Sequence, residues 1–586
     1  MDTAQPRHLH IVSHKKVVLA FILAAFFIIA VGALWLMRNS PLFPAASTTN
    51  QVDLLSSGWD HVPGVTPASD GLHVTYLGRA IVQQDGSPGL DNPSINLYGT
   101  HLHTTKDFTL SAALKDVNGG ASLRLYAEAP IVQDEFRVEP KGLDITIENS
   151  VVTVARWDGY KNQKLLQQKP TNTTSYPIGS QKNLTLTFEH TGNQLAILSD
   201  DKELTTLPYS NYFNQEMWFG VSALDPGDTW TLASLSASSN AGGVSTINTQ
   251  QTTKVKQTNP DSFQTLAKKK RSDFLIGAAV ALTPSVADEK YRDLVYGGNF
   301  GMITTENVLK WQFVHPQPQV YDFKEADALV DIARKNGLHV QGHTLVFGEA
   351  NPKWVQELPT TSQADKDAVK QVMIDHITKT VTHFGDRIMA WDVVNEPLAE
   401  DVSDSNILRN HKWHTAMGES YIATALSAAH TANPKAKLYI NDFGLEADGE
   451  RWDAMLALVK KLKAQNVPLD GIGFESHVYE AGDEIDPTVL RQHIQALSKL
   501  GVSSHVSEMD VHSDDGSATQ AKQYADVLSA CINEPSCTSW ATWGVTDRYD
   551  IFEADSGKLK YGQDFLWDAR SNPTPAVAEI QKTLKE

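Results

Sequence analysis

The feature of this 586-residue chain that most constrains its fold is an alternation of short apolar segments with amphipathic segments from residue 263 onward. Such alternation is typical of parallel α/β folds, in which a helix returns the chain to the start of the next strand. Eight segments have strand character, and they begin at Phe274, Phe300, His339, Ile388, Lys437, Gly471, His505 and Ser539. Because eight such strands can close on themselves, the sequence predicts a (β/α)8 TIM barrel over residues 263–586, with its active site at the C-terminal strand ends.

The region before the barrel has a different pattern. Residues 56–238 contain short alternating apolar runs separated by Gly, Asn and Asp, which predicts an all-β sandwich flanked by linkers at 38–55 and 239–262. The run Met217–Ala237 resembles the last strands of concanavalin-like jelly rolls, many of which bind sugars. Four aromatic residues are candidates for stacking on sugar rings: Trp157, Tyr160, Tyr212 and Trp230. The alternative, which we favour, is that these rings belong to the sandwich core.

An uncharged stretch near the N-terminus indicates a membrane segment. Val17–Met37 contains no charged residue and has the length of roughly 20 residues that a helix needs to cross a bilayer. The alternative is a cleaved secretory signal, but the apolar part of such a signal normally has about 7 to 15 residues. We therefore expect a transmembrane anchor, which makes the chain multidomain with an N-terminal transmembrane helix.

The charges that flank this stretch predict its orientation. Arg7, Lys15 and Lys16 precede it, and only Arg38 follows it closely. Basic residues concentrate on the cytoplasmic side, so residues 1–16 are predicted to be a cytoplasmic tail and the catalytic domain to be extracellular. Secretion after signal cleavage is the alternative localisation.

The overall charge argues against nucleic acid as a partner. The formal net charge is -19, and the one basic run, Leu266–Arg271, is better explained as a solvated helix face than as a nucleic-acid patch. The two cysteines, Cys531 and Cys537, would pair in an oxidising exterior, whereas two reduced thiols are the alternative. The negative net charge makes a neutral substrate a better match than an anionic one.

The predicted strand ends carry an unusual number of carboxylates. Glu396 ends the fourth strand and Glu508 lies in the seventh, which places them across the barrel mouth from each other. Retaining glycoside hydrolysis needs two carboxyl groups about 5 to 5.5 Å apart, one to protonate the leaving oxygen and one to attack the anomeric carbon. This pair therefore predicts a retaining glycosidase.

Seven ordered motifs make the family resemblance specific. They are TENVLKW at 305–311, GHTLV at 342–346, WDVVNEP at 391–397, IND at 440–442, GIGFESH at 471–477, SEMD at 507–510 and WGVTD at 543–547. With these motifs the segment from Phe263 to Glu586 resembles glycoside hydrolase family 10, the endo-1,4-β-xylanases. The cysteine pair before the last strand also recurs in many members.

The resemblance implies a role for each matching residue. Glu396 is implied as the acid/base and Glu508 as the nucleophile, while Asn395 is implied to donate to the 2-hydroxyl of the reacting sugar. The further implied substrate-binding residues are Glu306, Asn307, Lys310, His343, Trp354, Asn441, Glu475, His477 and Trp543. No cofactor is expected. Without a tight ligand spacing, a metal site among His343, His477 and His505 is disfavoured.

Three positions depart from the family pattern around the reacting sugar. Gly348 replaces a histidine, Glu475 replaces a glutamine, and Ile551 stands where a tryptophan usually follows WGVTD. From sequence, the first change is expected to leave space and the second to add a charge beside Glu508, which would move the acidic limb of the pH profile upward. Because these changes leave Glu396 and Glu508 in place, we expect cleavage of internal β-1,4-xylosidic linkages of xylan. The alternatives are hydrolysis of another β-glycan, or a membrane-tethered, non-catalytic carbohydrate-binding protein.

Overall fold

The computed structural model describes most of the chain after residue 50. The described residues are 51–77, 80–82, 88–91, 94–95, 100–128, 131–133, 136–138, 141–158, 170–240, 242–248, 259–403, 406–479, 484–513, 518–553, 559–561 and 563–586. The predicted cytoplasmic tail and the membrane segment Val17–Met37 lie outside these residues. Among the described helices, none is both long enough and apolar enough to span a membrane.

Two antiparallel sheets form a sandwich in the N-terminal part. The first sheet contains, in spatial order, Lys202–Pro208, Gln194–Ser199, Leu184–Thr191, Phe108–Asn118, Thr229–Ser238, Gly71–Thr75 and Val65–Ala68, with Gln51–Asp53 also paired to Thr229–Ser238. The second contains Asn172–Pro177, Val151–Asp158, Lys141–Glu148, Ala121–Tyr126, Glu216–Ala223, Thr100–Thr104 and Val244–Asn248, with Ser94–Ile95 beside Glu216–Ala223. Two small hairpins join Ile131–Gln133 to Phe136–Val138 and Ala80–Val82 to Pro88–Asp91.

Alternating burial explains why these segments form strands. In Phe108–Asn118 the side chains of Phe108, Leu110, Ala112 and Leu114 are buried while the intervening ones are partly exposed. Because successive strand residues face opposite sides of a sheet, this alternation gives each sheet one apolar face. The apolar faces of both sheets contribute to a single hydrophobic core.

Two sequence expectations for this region need correction. The predicted linker 239–262 contains a strand, Val244–Asn248, which pairs with Thr100–Thr104, and Gln51–Asp53 of the other predicted linker is also a strand. Edge strands are held by main-chain hydrogen bonds, so their Ser- and Thr-rich or short sequences carry little apolar signal.

The predicted sugar-stacking aromatics do not form an exposed platform. Trp157, Tyr212 and Trp230 are each at least nine-tenths buried, and Trp230 and Tyr212 belong to the sandwich core. Tyr160 lies outside the described residues. The described rings are therefore buried within the sandwich, as the favoured alternative predicted.

Eight parallel strands form the closed barrel that the sequence predicts. They are β1 Leu275–Val280, β2 Met302–Thr305, β3 His339–Val346, β4 Ala390–Asn395, β5 Lys437–Asp442, β6 Gly471–Phe474, β7 Ser503–Val511 and β8 Cys537–Thr542. Each strand pairs with the next in chain order, and β8 pairs with β1 to close the ring. Closure brings all eight C-terminal strand ends to one mouth, where a site can form.

Helices and two hairpins surround the barrel strands. The described helices are Phe263–Lys270, Leu282–Ala287, Glu289–Leu294, Trp311–Val314, Lys324–Lys335, Lys353–Gln356, Gln363–Phe384, Lys412–Met417, Ser420–Ala432, Glu450–Ala464, Pro487–Lys499, Ala518–Ile532 and Pro575–Lys585. A hairpin of Leu398–Ser403 and Asn406–Leu408 follows β4, and another of Ile551–Glu553 and Leu559–Tyr561 follows β8. Apolar helix faces pack on the strands in one extensive core.

Two smaller expectations concern the ends of the barrel. Cys531 and Cys537 form a disulfide that links the helix Ala518–Ile532 to the start of β8. The basic run at Leu266–Arg271 lies at the end of the helix Phe263–Lys270, with its lysines exposed and Leu266 buried. This is the solvated helix face expected from the sequence.

Candidate active site

A cavity of about 540 Å³ opens at the C-terminal ends of the barrel strands. Nine of the twelve predicted site residues line it: Glu306, Lys310, His343, Asn395, Glu396, Glu475, His477, Glu508 and Trp543. Asn441 and Asn307 are buried beside lining carboxylates, and both donate hydrogen bonds to them. Trp354 is the exception, because its indole packs on His315 and Trp311 and it is not among the lining residues.

Glu396 is held at the end of β4 by a left-handed backbone turn. Its φ is 46°, and its N–H donates to the carbonyl of Asn441 on β5 at 2.8 Å. Burial raises the pKa of Glu396 to about 7, and the negative charges of Asp442, Glu508 and Glu349 add to the increase, while Arg409 opposes it. A carboxyl group with this pKa retains its proton in weakly acidic solution, as a general acid must.

Glu508 has the opposite protonation behaviour. Burial by itself would raise the pKa of Glu508, but a hydrogen bond from His477 and the positive charges of His343, His477 and Lys310 outweigh burial and lower it. Its Oε1 also accepts a 2.6 Å hydrogen bond from Nδ2 of Asn441. Donors directed at a carboxylate favour its charged form, so Glu508 is an ionised group able to act as a nucleophile.

Asn441 connects three strands beneath the cavity. Its Nδ2 lies within hydrogen-bonding distance of Asn395 Oδ1 at 2.9 Å and Glu475 Oε1 at 3.0 Å, in addition to Glu508. Its Oδ1 accepts a hydrogen bond from the Ser507 hydroxyl at 2.6 Å. This donor to its oxygen fixes the amide so that the nitrogen faces the carboxylates.

Glu475 and Glu508, the two carboxylates nearest Nε2 of His477, differ in their affinity for a proton. Burial, together with the charges of Glu508 and Glu396, raises the pKa of Glu475 well above its usual range. Burial would lower the pKa of His477, but Asp510, whose Oδ1 lies 2.8 Å from Nδ1, raises it well above its usual range. Nε2 of His477 lies 3.5 Å from Glu475 and 3.6 Å from Glu508. A protonated Glu475 is neutral, like the glutamine that it replaces.

The predicted effect of Glu475 on the pH profile depends on its charge. From sequence, an ionised Glu475 was expected to raise the proton affinity of the pair that it forms with Glu508. In the structure the pKa of Glu475 is the one that is raised, by burial and by the charge of Glu508, whereas His477, His343 and Lys310 lower the pKa of Glu508. An upward shift of the acidic limb of activity stays a prediction.

The structure also corrects the expectation that Gly348 leaves space. A Cβ atom at Gly348 would lie 3.0 Å from Cδ2 of His411 and 3.4 Å from Cδ of Arg409. Gly348 is not among the residues that line the cavity, although Phe347 and Glu349 are. Arg409 and His411, which follow the β4 hairpin, therefore fill the space that a side chain at position 348 would need. The third departure, at Ile551, concerns a side chain that lies outside the described part of the structure.

A second histidine–carboxylate contact lies beside the nucleophile. Nδ1 of His343 lies 3.1 Å from Oδ2 of the buried Asp392 and 3.7 Å from Oε1 of Glu508. The Trp543 ring meets the His343 ring edge-on, with centroids 5.1 Å apart. Trp543 thereby covers one side of the cavity with an apolar surface on which a sugar ring can stack.

Among the described residues, one group could hold a metal ion. It consists of Glu475, His477 and Glu508, whose nearest ligand atoms lie within 4.8 Å of one another. Both Glu475 and His477 have raised pKa values, so a metal would have to displace their protons. The protons and donors of this group suit acid–base chemistry better than metal binding.

Several cavity residues were not predicted from the sequence. Glu349 contacts Arg409 at the mouth, and Tyr291, Tyr479, His512, Asp550 and Asp564 are further lining residues. Tyr291 belongs to the helix Glu289–Leu294, Tyr479 and His512 directly follow strand residues, and the others lie in loops. Arg409 directly follows the β4 hairpin, so it lies only a short stretch of chain after the acid/base, which is a signal that could have identified it.

Comparison with known proteins places the barrel among xylan-degrading enzymes. Residues 263–583 match the family model of glycosyl hydrolase family 10. A β-1,4-xylanase of Dictyoglomus thermophilum is 35% identical over 326 residues, which are 53% of this chain and 88% of that protein. Endo-1,4-β-xylanase B of Thermotoga neapolitana is 32% identical over 305 residues, which are 51% of this chain and 84% of that protein.

Solved structures give the same result. Xylanase 10B from Thermotoga maritima matches with a TM-score of 0.50 and 31% identity, covering 55% of this chain and 98% of that one. Xylanase 10B from Thermotoga petrophila RKU-1, solved in complex with xylobiose, matches with a TM-score of 0.50 and 32% identity, covering 55% and 97%. All of these matches are to proteins described as xylanases.

Proposed function

This chain belongs to glycosyl hydrolase family 10, and we propose that it hydrolyses internal β-1,4-xylosidic linkages of xylan with retention of configuration. The observation that carries the proposal is that Glu396, after β4, and Glu508, on β7, line one cavity at the barrel mouth in surroundings that shift their pKa values in opposite directions. Glu396 has a pKa raised to about 7, whereas the pKa of Glu508 is lowered. Opposed proton affinities in a carboxylate pair identify the acid and the nucleophile of a double displacement.

The reaction then proceeds in two balanced steps. In the first, Glu508 attacks the anomeric carbon while the bond to the leaving sugar breaks, and the Glu396 proton passes to the leaving oxygen. In the second, Glu396, now a carboxylate, takes a proton from water as that water attacks the anomeric carbon and the bond to Glu508 breaks. The product retains its anomeric configuration, and both glutamates return to their starting states.

The neighbouring residues support these roles. Asn441 and His477 stabilise the ionised nucleophile, and the protonated Glu475 is a neutral hydrogen-bonding partner for the reacting sugar. Asn395 lies beside Glu396, with Nδ2 3.3 Å from Oε1. Glu306 and Lys310 lie in the same cavity at positions suited to neighbouring sugars.

Gly348 and Glu475, two of the departures from the family pattern, favour xylan over another β-glycan as the substrate. The side of Gly348 is occupied by His411 and Arg409, and Glu475 in its protonated form replaces a glutamine by a group of equal charge. Neither change enlarges or charges the reacting-sugar subsite as a different substrate would require. A non-catalytic binder is disfavoured because both glutamates line the cavity and Glu508 accepts the hydrogen bond from Asn441 that suits a nucleophile.

The proposal is tested by incubating the protein without residues 1–50 with xylan, cellulose and mixed-linkage glucan. Release of short xylo-oligosaccharides that keep the β configuration in freshly formed products supports it. Inverted products would contradict the double displacement, and turnover of glucans alone would contradict the substrate.

We further propose that the enzyme is displayed on the outer face of a membrane by Val17–Met37. The uncharged stretch, its basic N-terminal flank and the disulfide between Cys531 and Cys537 support this placement. Protease added to intact cells is expected to release active barrel. Full protection until the membrane is broken would contradict the orientation, and active barrel lacking residues 17–37 in the medium would favour a cleaved signal.

A further inference from the structure

The acid/base Glu396 forms an ion pair with Arg409, which has no part in the catalytic steps described above. Nη2 of Arg409 lies 2.9 Å from Oε2 of Glu396, and Nη1 lies 3.0 Å from Oε1 of Glu349. The Arg409 side chain is 14% exposed, and Glu349 is 40% exposed at the cavity wall. A guanidinium whose nitrogens are held by two carboxylates has a fixed direction, so Arg409 restrains the Glu396 carboxyl group.

Gly348 and His411 maintain the position of this arginine. The main-chain N–H of Arg409 donates to the carbonyl of Pro397 at 2.9 Å, which ties it to the residue after Glu396. His411 fills the space beside Gly348 and accepts a hydrogen bond from the N–H of His414 through Nδ1 at 3.3 Å. Burial, with the charges of His414 and Arg409, lowers the pKa of His411 to about 3, so this ring is a neutral spacer.

We infer that Arg409 and Glu349 form a positioning pair for Glu396, which orients its carboxyl group and balances its charge in both steps of the reaction. This inference rests on the proposed role of Glu396 as acid/base. Arg409 does not line the cavity and acts through Glu396, so it is a positioning residue. The small residue at 348 is required because a larger side chain would press on His411 and Arg409.

Each member of the pair has a separate electrostatic task. Glu396 must hold a proton in the first step and be a carboxylate before the second. Arg409 favours the carboxylate and lowers the pKa of Glu396, whereas the charge of Glu349 raises it. The other charged groups that face Glu396 are Asp442 and Glu508, which also raise its pKa, and Glu475, which is protonated. Removal of Arg409 should therefore move the alkaline limb of activity to higher pH, and removal of Glu349 should move it to lower pH.

The test compares the pH dependence of kcat/KM on xylo-oligosaccharides for Arg409→Gln and Glu349→Gln with that of the unaltered protein. Arg409→Gln is expected to move the alkaline limb upward and Glu349→Gln to move it downward, each by about one pH unit. On an aryl xyloside with a good leaving group, Arg409→Gln should lower kcat and KM together, because the second step loses its stabilised carboxylate. Arg409→Lys, which keeps the charge, should leave the limb near its original position.

Glu400→Gln is the matched control. Glu400 Oε1 lies 3.7 Å from Nη2 of Arg409, but its side chain is 78% exposed, so water screens its charge. Its removal should leave the limb in place. If Arg409→Gln does not fold, as judged by its melting curve, the downward shift in Glu349→Gln decides the matter alone. Unmoved limbs in active Arg409→Gln and Glu349→Gln proteins would overturn the positioning pair while leaving the proposed function intact, whereas an inactive unaltered protein would overturn the proposed function itself.

Discussion

The two sides of the cavity are built differently. The nucleophile side consists of residues on β5, β6 and β7 and their immediate ends, where Asn441, Glu475 and Glu508 are almost fully enclosed and the His477 side chain is 14% exposed. The acid/base side is more open and depends on a hairpin, since Glu396 is restrained by Arg409 from the segment after Asn406–Leu408. The nucleophile is thus fixed by the barrel itself, while the proton donor is adjusted by a loop.

This difference has a physical reason. A nucleophile keeps one charge state until it reacts, so a rigid set of donors suits it. The acid/base must change protonation twice in each turnover, and a pKa of about 7 leaves both of its states accessible near neutral pH. Changes on the nucleophile side should therefore reduce the rate most, and changes on the other side should mainly move the pH profile.

The largest effect is expected for Glu508→Gln. Without its carboxylate no glycosyl-enzyme can form, so kcat on xylan should fall by at least about 10⁴-fold. Activated aryl xylosides should not restore activity, because leaving-group protonation is not what is missing. Steady-state rates on both substrate types measure this, and more than a residual rate in the mutant would remove Glu508 from its role.

A smaller and substrate-dependent effect is expected for Glu396→Gln. Loss of general acid catalysis should reduce xylan turnover by about 10² to 10⁴-fold. Formation of the glycosyl-enzyme from an aryl xyloside with a good leaving group should survive, and its rate should no longer fall as the pH rises through about 7. Pre-steady-state bursts of released aryl alcohol measure that step, and an alkaline limb that persists in this mutant would assign the limb to another group.

A moderate effect on stability is expected for Gly348→Ala. The new methyl group would meet His411 at about 3.0 Å, and overpacking of this kind costs about 1 to 3 kcal/mol. The melting temperature of the barrel should fall by roughly 2 to 4 °C. His411→Ala combined with Gly348→Ala should recover part of this loss, whereas strictly additive effects would show that the two residues do not interact.

The smallest effect is expected for Glu475→Gln. Because Glu475 is protonated, the amide replaces one neutral group by another, and turnover in weakly acidic solution should change by less than about tenfold. Glu475→Ala, which removes the group that Asn441 contacts at 3.0 Å, should lose considerably more. Equal losses in the two variants would indicate that Glu475 acts as an anion.

The fold was largely predictable because its signals are local and repeated. All eight predicted barrel segments contain observed strands, and the closure of β8 onto β1 follows from their number. The edge strands Gln51–Asp53 and Val244–Asn248 escaped prediction, because main-chain pairing at an edge leaves little trace in the side chains. Strand patterns are thus readable where apolar side chains alternate or run continuously along the strand.

The part of the candidate site that lies at strand ends was also predictable from the sequence. Residues at strand ends, such as Glu396, His477 and Glu508, meet in one cavity because the barrel brings strand ends together. Trp354 does not line the cavity, and its role in binding substrate stays a prediction. Arg409 and Glu349 were missed because their positions depend on how a hairpin and a loop pack. The raised pKa of Glu475 could not be read from sequence either, since it depends on burial and on the charges of Glu508 and Glu396.

The most direct measurement for the central claim is to trap the glycosyl-enzyme. A 2-deoxy-2-fluoro xyloside with a good leaving group slows the second step, so the covalent adduct can be digested and located by tandem mass spectrometry. The opposed protonation of the neighbouring carboxylates predicts that the label is attached to Glu508 alone. A label on Glu475 or Glu396, or rapid turnover of the reagent with no adduct at any pH, would contradict this assignment.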